Sequence, residues 1–172
     1  MAVSLYDVTV PSFEQTLAAM EGVLEKGLAF CSEQGLESAD LVGMRLYEDM
    51  LPLHFQVVSV WHHSLGALRG VQEGSSTPPP QLDLDYAGLQ GLVAEARAGL
   101  AEFTPEVVNG FEGKDVVFRL GDVEMPFVAE DFLLSFSKPN FYFHATTAYD
   151  LLRMKGVTLG KRDFLGGIRL KT

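Results

Sequence analysis

An asparagine and a histidine four residues apart, Asn140 and His144, stand in the run Asn140-Phe-Tyr-Phe-His-Ala-Thr-Thr-Ala-Tyr149 near the carboxy-terminal end. Residues three and four apart share a helix face, so Asn140, His144, Thr147, Leu151 and Met154 form one stripe of mixed polarity. Turned inward, that stripe needs partners, because an unpaired buried polar group costs on the order of 1–3 kcal/mol. The other histidines, His54, His62 and His63, all fall in one segment further up the chain. Adjacent helical residues point about 100° apart, so His62 and His63 are not expected to face the core together. His63 shares a stripe with Gln56, Val60 and Ala67 and is the better inward candidate. His62 lies with Ser59, Gly66 and Arg69 on a face that reads as wetter.

Other reactive residue types have structural readings beside their chemical ones. Tyr142, Tyr149 and Asp150 could serve acid–base chemistry next to His144, but on an ideal helix they point away from its stripe. Cys31 has no histidine or basic cluster beside it in sequence and reads as a small buried hydrophobe. Lys161, Arg162 and Asp163 could hold an anion at a bundle mouth, or fasten the tail by ion pairs and caps. There is no phosphate loop, dinucleotide fingerprint, Cys-x-x-Cys or Gly-x-Ser-x-Gly. No catalytic residue is assigned.

The elements that must position these groups are mostly helices. Phe13, Leu17, Met20, Leu24, Leu28 and Cys31 recur at helical spacing over Thr9 to Gln34, with either Pro11 as first residue or a Ser12–Gln15 capping box, and Gly35 as terminator. Leu36 to Leu51 reads as a connection, with a short turn of helix around Asp40 to Met44 and Arg45 and Asp49 to tie it down. Pro52 opens a second helix with Leu53, Val57, Val60, Ser64, Ala67 and Val71 inward. Glu73 to Pro80, rich in glycine, serine and proline, is a linker. A third helix starts from Asp83 or Asp85 and buries Tyr86, Leu89, Val93, Ala96, Leu100 and Phe103, and Thr104-Pro105 marks its end. The residues around Gly121-Asp122 are β-branched and aromatic, which predicts a tight hairpin over Asp115 to Phe127 with Pro126 at an edge. The fourth helix runs from about Ala129 to Gly156, brings Phe132, Phe136, Phe143 and Leu152 inward, and is kinked or broken before Asn140 by Pro139. Phe164, Leu165 and Ile168 in the aperiodic tail pin it to the bundle or to a second subunit.

The 172 residues suit one domain spanning 1–172, and an apolar fraction of 47% with mean hydropathy +0.13 implies a packed core. The formal net charge of −10 repels phosphate backbones, so nucleic acid is not an expected partner. One cysteine, no basic amino-terminal leader and no apolar run near the roughly 20 residues a bilayer requires point to a cytoplasmic protein without a membrane partner.

The motifs Pro139-Asn-Phe-Tyr-Phe-His-Ala-Thr-Thr-Ala-Tyr149 and Gly160-Lys-Arg-Asp-Phe-Leu-Gly166, with Asp49-Met-Leu-Pro-Leu53 and Ser4-Leu-Tyr6, span nearly the whole chain. On these residues the chain resembles an uncharacterised domain-of-unknown-function family within the DinB/YfiT-like superfamily. The resemblance implies an all-α fold, a DinB-like four-helix bundle with the small hairpin between the third and fourth helices. It also implies a divalent metal, zinc, nickel or iron, held by one second-helix histidine and a His-x-x-x-His pair on the last helix. In this chain His144 takes the second place of that pair and Asn140 the first, a departure, since a neutral amide oxygen is a poor ligand for these ions. His63 is the best match for the third ligand, with His54 and His62 as alternatives. Two functions follow from the resemblance: a metal-dependent enzyme of thiol-linked transferase or isomerase type with an incomplete triad, or a non-catalytic bundle that binds a small ligand or dimerises. The aromatic residues around His144 imply a small, partly apolar ligand, and the apolar tail and helix faces imply a homodimer.

Overall fold

The computed structural model describes residues 3–171, and it is mostly helical with one small three-stranded sheet. A one-turn helix α1 (Leu5–Val8) opens it, closed by a capping box in which Ser4 accepts from the Asp7 amide and the Asp7 carboxylate accepts from the Ser4 amide at 3.0 Å. Helix α2 (Val10–Gln34) follows at once, with Pro11 as its second residue. The capping box expected at Ser12–Gln15 is therefore absent. The chain is already helical there, Ser12 donates back to the Val8 carbonyl, and Gln15 reaches the Leu165 carbonyl at 2.8 Å. Gly35, at φ 64°, ends α2 in the left-handed conformation that glycine reaches without strain.

After a short α3 (Ala39–Val42), α4 (Leu53–Trp61) continues through a π-turn (His62–Gly66) into α5 (Ala67–Glu73). The Arg45 guanidinium donates to the Met50 carbonyl and so secures the intervening loop. Part of the expected linker is a strand: β1 (Ser75–Ser76) pairs in parallel with β2 (Asp115–Leu120), Ser75 opposite Val117. Two residues of ladder have no periodicity that a sequence could display. The hairpin of β2 with β3 (Val123–Val128) turns at Gly121-Asp122, and Pro126 sits on the edge strand as expected.

Helix α6 (Tyr86–Gly99) starts at Asp85, whose carboxylate accepts from the Gly88 amide at 2.8 Å. Past its end Thr104 caps a further short helix, α7 (Pro105–Asn109). The last helical path begins as α8 (Ala129–Asp131), widens into a second π-turn (Phe132–Ser137) and runs on as α9 (Lys138–Lys155). The proline is absorbed without breaking that path. Pro139 falls in the first turn of α9, just beyond a turn whose bonding is already shifted, as the Lys138 amide donating to the Leu133 carbonyl shows. A final α10 (Lys161–Leu165) orders part of the tail.

Helix α4 packs against α9 and α6, and α2 against α6, α9 and α10. Phe13, Leu17, Met20, Val57, Val60, Leu89, Val93, Phe141 and Leu151 fill the space between them and are fully buried. Phe13 meets Phe141 edge-on at 4.9 Å. Gly27 lets α6 approach α2 closely: a Cβ there would stand 2.3 Å from the Tyr86 hydroxyl, which donates to the Leu24 carbonyl at 2.8 Å. Three residues read as inward face outward instead, Leu28 (42% exposed), Phe143 (58%) and Met154 (57%). No described helix is long and apolar enough to cross a membrane.

Candidate functional site

His62 and His63 stand side by side in the π-turn, and both are buried. The expectation that His62 lies on a wetter face is thus corrected, since the Thr77 backbone, in the segment after α5, hydrogen-bonds its ring. His63 lies against His144 of α9, ring centroids 5.8 Å apart and planes only 8° from parallel, and His62 lies edge-on to His63 at 5.0 Å. His54 is half-buried and takes no part in these ring contacts.

Gln56 of α4 anchors His144. Its amide nitrogen donates to the Leu51 carbonyl at 2.8 Å, and its Oε1 stands 2.7 Å from Nδ1 of His144. Because Oε1 can only accept, Nδ1 must carry the imidazole hydrogen, and Nε2 keeps its lone pair. Aromatic rings enclose the pair: Phe55 and the exposed Phe143 approach His144 edge-on at 5.6 and 5.2 Å, and Phe136 approaches His63 at 5.9 Å. Burial, reinforced by His62 and His144, pushes His63 down to about 3, and burial with His62 pushes His144 down to about 4. Burial also lowers His62, opposed by a hydrogen bond with the Thr77 backbone. All three rings are neutral at pH 7. One turn from His63, the Ser59 hydroxyl is buried with no partner among the described residues.

Residues 5–165 match the family described as "Domain of unknown function (DUF1993)". The chain belongs to that family. None of the curated proteins matches it. Among solved structures, it is similar to a DinB family member protein from Shewanella denitrificans, with 25% identity, a TM-score of 0.79, and 98% of this chain and 95% of that chain covered.

The DinB relationship raises the question of a metal, and the residues of this DUF1993 chain fit one in part. Neutral imidazoles are what a transition metal takes, and a ligating histidine commonly donates its other nitrogen to an oxygen as His144 does to Gln56. Against this, the place of a further imidazole on the last helix is taken by Asn140, and a neutral amide oxygen is a poor ligand for such ions. Asn140 is half-buried, and its amide nitrogen is committed to the Phe136 carbonyl at 2.8 Å, in the π-turn that precedes α9. Among the described residues no three His, Cys, Asp or Glu side chains are grouped to hold an ion.

The remaining candidates resolve as fastening and packing. Asp163 pairs with Lys26 at 2.7 Å and accepts from the Gly160 amide at 2.7 Å, which ties α10 to α2. Phe164 meets Tyr149 at 5.8 Å, whereas Leu165 and Ile168 stay exposed and do not pin the tail within this chain. Tyr142 packs on Phe141. Burial pushes the Cys31 thiol up, away from reactivity. Sequence reasoning missed Gln56 and Phe55 as site residues. The signal for Gln56 was its place on the stripe of His63, a polar amide among apolar neighbours.

Proposed function

We propose that this chain is a small-molecule-binding helical bundle whose site is the neutral His63–His144 pair under its aromatic collar, and that it works without a resident metal. The observation that supports this reading is the asparagine at 140 where a further imidazole would stand, its amide nitrogen committed to the Phe136 carbonyl, while Gln56 fixes His144 among phenylalanine rings. The ligand is small and partly apolar, since rings of Phe55, Phe136 and Phe143 adjoin the imidazoles. The four long helical paths form one up-and-down, near-antiparallel bundle, the chain is a single domain, and it acts as a cytoplasmic homodimer through its exposed apolar surface.

A second reading keeps the DinB-like metal-dependent enzyme, a thiol-linked transferase or isomerase, with His63, His144 and Asn140 around zinc, nickel or iron. The Gln56 bond to His144 favours it, and so does the Asn140 carbonyl oxygen, which its amide nitrogen's bond to Phe136 leaves uncommitted. Elemental analysis of protein purified without an affinity tag separates the two. Less than a tenth of an equivalent of any transition metal is expected, and a near-stoichiometric ion would replace the first reading with the second.

A further inference from the structure

A groove of about 650 Å³ that shares no residue with the histidine site lies between α2 and α6. Val10, Ala98 and Leu100 make it largely apolar. Its charged residues are Glu14 and Glu21 of α2 and Arg97 of α6, and the guanidinium bonds each carboxylate at 2.7 Å. Two carboxylates against one guanidinium leave the groove with one negative charge to spare. The tail of the chain adjoins this groove. Gln15 holds the Leu165 carbonyl at 2.8 Å, and Gly166 lies so close to α2 that a Cβ there would stand 3.1 Å from that of Ala19. Pro11 and Glu14 line both the groove and a second hollow of about 300 Å³, whose lining includes Gly167 and Arg169. Groove and tail therefore meet at one ridge of α2. Past that ridge Ile168 and Leu170 alternate with Arg169 and Lys171 in a segment without helix or strand, and both apolar residues are exposed within the single chain.

Resting on the homodimer reading above, we propose that the α2–α6 groove receives residues 168–171 of a second copy, and that the exchange is reciprocal. The two surfaces are complementary in kind. An extended segment alternates its side chains between two sides, so Ile168 and Leu170 bury together against the apolar wall while Arg169 and Lys171 meet the surplus carboxylate charge of Glu14 and Glu21. Because groove and tail adjoin on the same helix, one two-fold axis beside the amino-terminal half of α2 brings each tail to the other copy's groove. Both apolar surfaces are then covered by a single closed, isologous contact.

The test uses the full chain in light scattering across micromolar concentrations, with Leu170→Asp to spoil the tail and Ala98→Trp to fill the groove, both at exposed positions. Burying one large aliphatic side chain corresponds to roughly tenfold or more in affinity. Each substitution is therefore expected to raise the dissociation constant of the dimer at least roughly tenfold while the helical circular dichroism stays unchanged. If Ala98→Trp loses helicity, Leu170→Asp alone decides. Oxidation of a chain carrying both Ala98→Cys and Leu170→Cys is expected to join two copies, since the native Cys31 is buried. A dimer unchanged by either correctly folded variant would overturn the docking and leave the homodimer reading standing. A cross-link closed within one chain would place the tail in its own groove and overturn the exchange. A wild-type mass near 18.8 kDa would overturn both readings.

Discussion

His63 and His144 carry a cost that acid exposes. In the unfolded chain each takes up a proton near pH 6.5, whereas burial holds them neutral down to about 3 and about 4 in the folded chain. Between those limits the unfolded state binds more protons, so stability is complete above about pH 6.5 and falls as pH drops toward 4. The slope in that window is about 1.4 kcal/mol per pH unit for each histidine. Urea unfolding at pH 7 and pH 5 should show it, and His63→Phe should remove roughly half of the pH dependence. An unchanged midpoint between the two pH values would mean the rings are not buried neutral. Phe143 belongs to the same scale. It is 58% exposed, so Phe143→Ala should shift stability in urea unfolding by no more than about 0.5 kcal/mol. A loss well above that would place the ring in the core.

The elements show which parts of the arrangement a sequence can carry. Leu53, Val57, Val60, Ser64, Ala67 and Val71 read as one inward stripe and are all buried, because tertiary burial of a helix face is what that periodicity records. The hairpin was legible for an equally local reason: Gly121, at φ 57°, adopts the positive φ that the turn requires. The two π-turns were not legible, since nothing in residue type announces a shifted backbone bond, and the second of them carries the chain past Pro139. His144 was readable as a site residue, and Gln56 was visible only as a polar interruption of a stripe. The short helices α1, α7 and α10 lie below the length at which periodicity is detectable. Close approach of elements is testable at Gly27. Gly27→Ala would drive a methyl group onto the Tyr86 hydroxyl and the Leu152 side chain, and a loss of about 1–3 kcal/mol is expected from denaturant unfolding. A neutral substitution there would show that α6 can move away from α2 without cost.

At the scale of the whole molecule, apolar surface remains uncovered. Leu165 (39% exposed), Ile168 (57%) and Leu170 (74%) extend along a tail that Gln15 and Lys26 hold against α2 through the Leu165 carbonyl and Asp163. A second copy would cover such a surface, so light scattering at micromolar concentration should give twice the chain mass of 18.8 kDa. A mass near 18.8 kDa would refute the dimer. Truncation after Gly160 should abolish the dimer and leave the helical circular dichroism intact, and a loss of helicity would assign the tail to the core of one chain. The proposed site then rests on one question, whether the neighbouring histidines hold a metal. Nitrogen-15 spectra of the His63 and His144 rings, followed while zinc is added, answer it directly. One equivalent of zinc is expected to leave both rings unshifted. Stoichiometric zinc shifting a nitrogen of both rings together would contradict the metal-free reading.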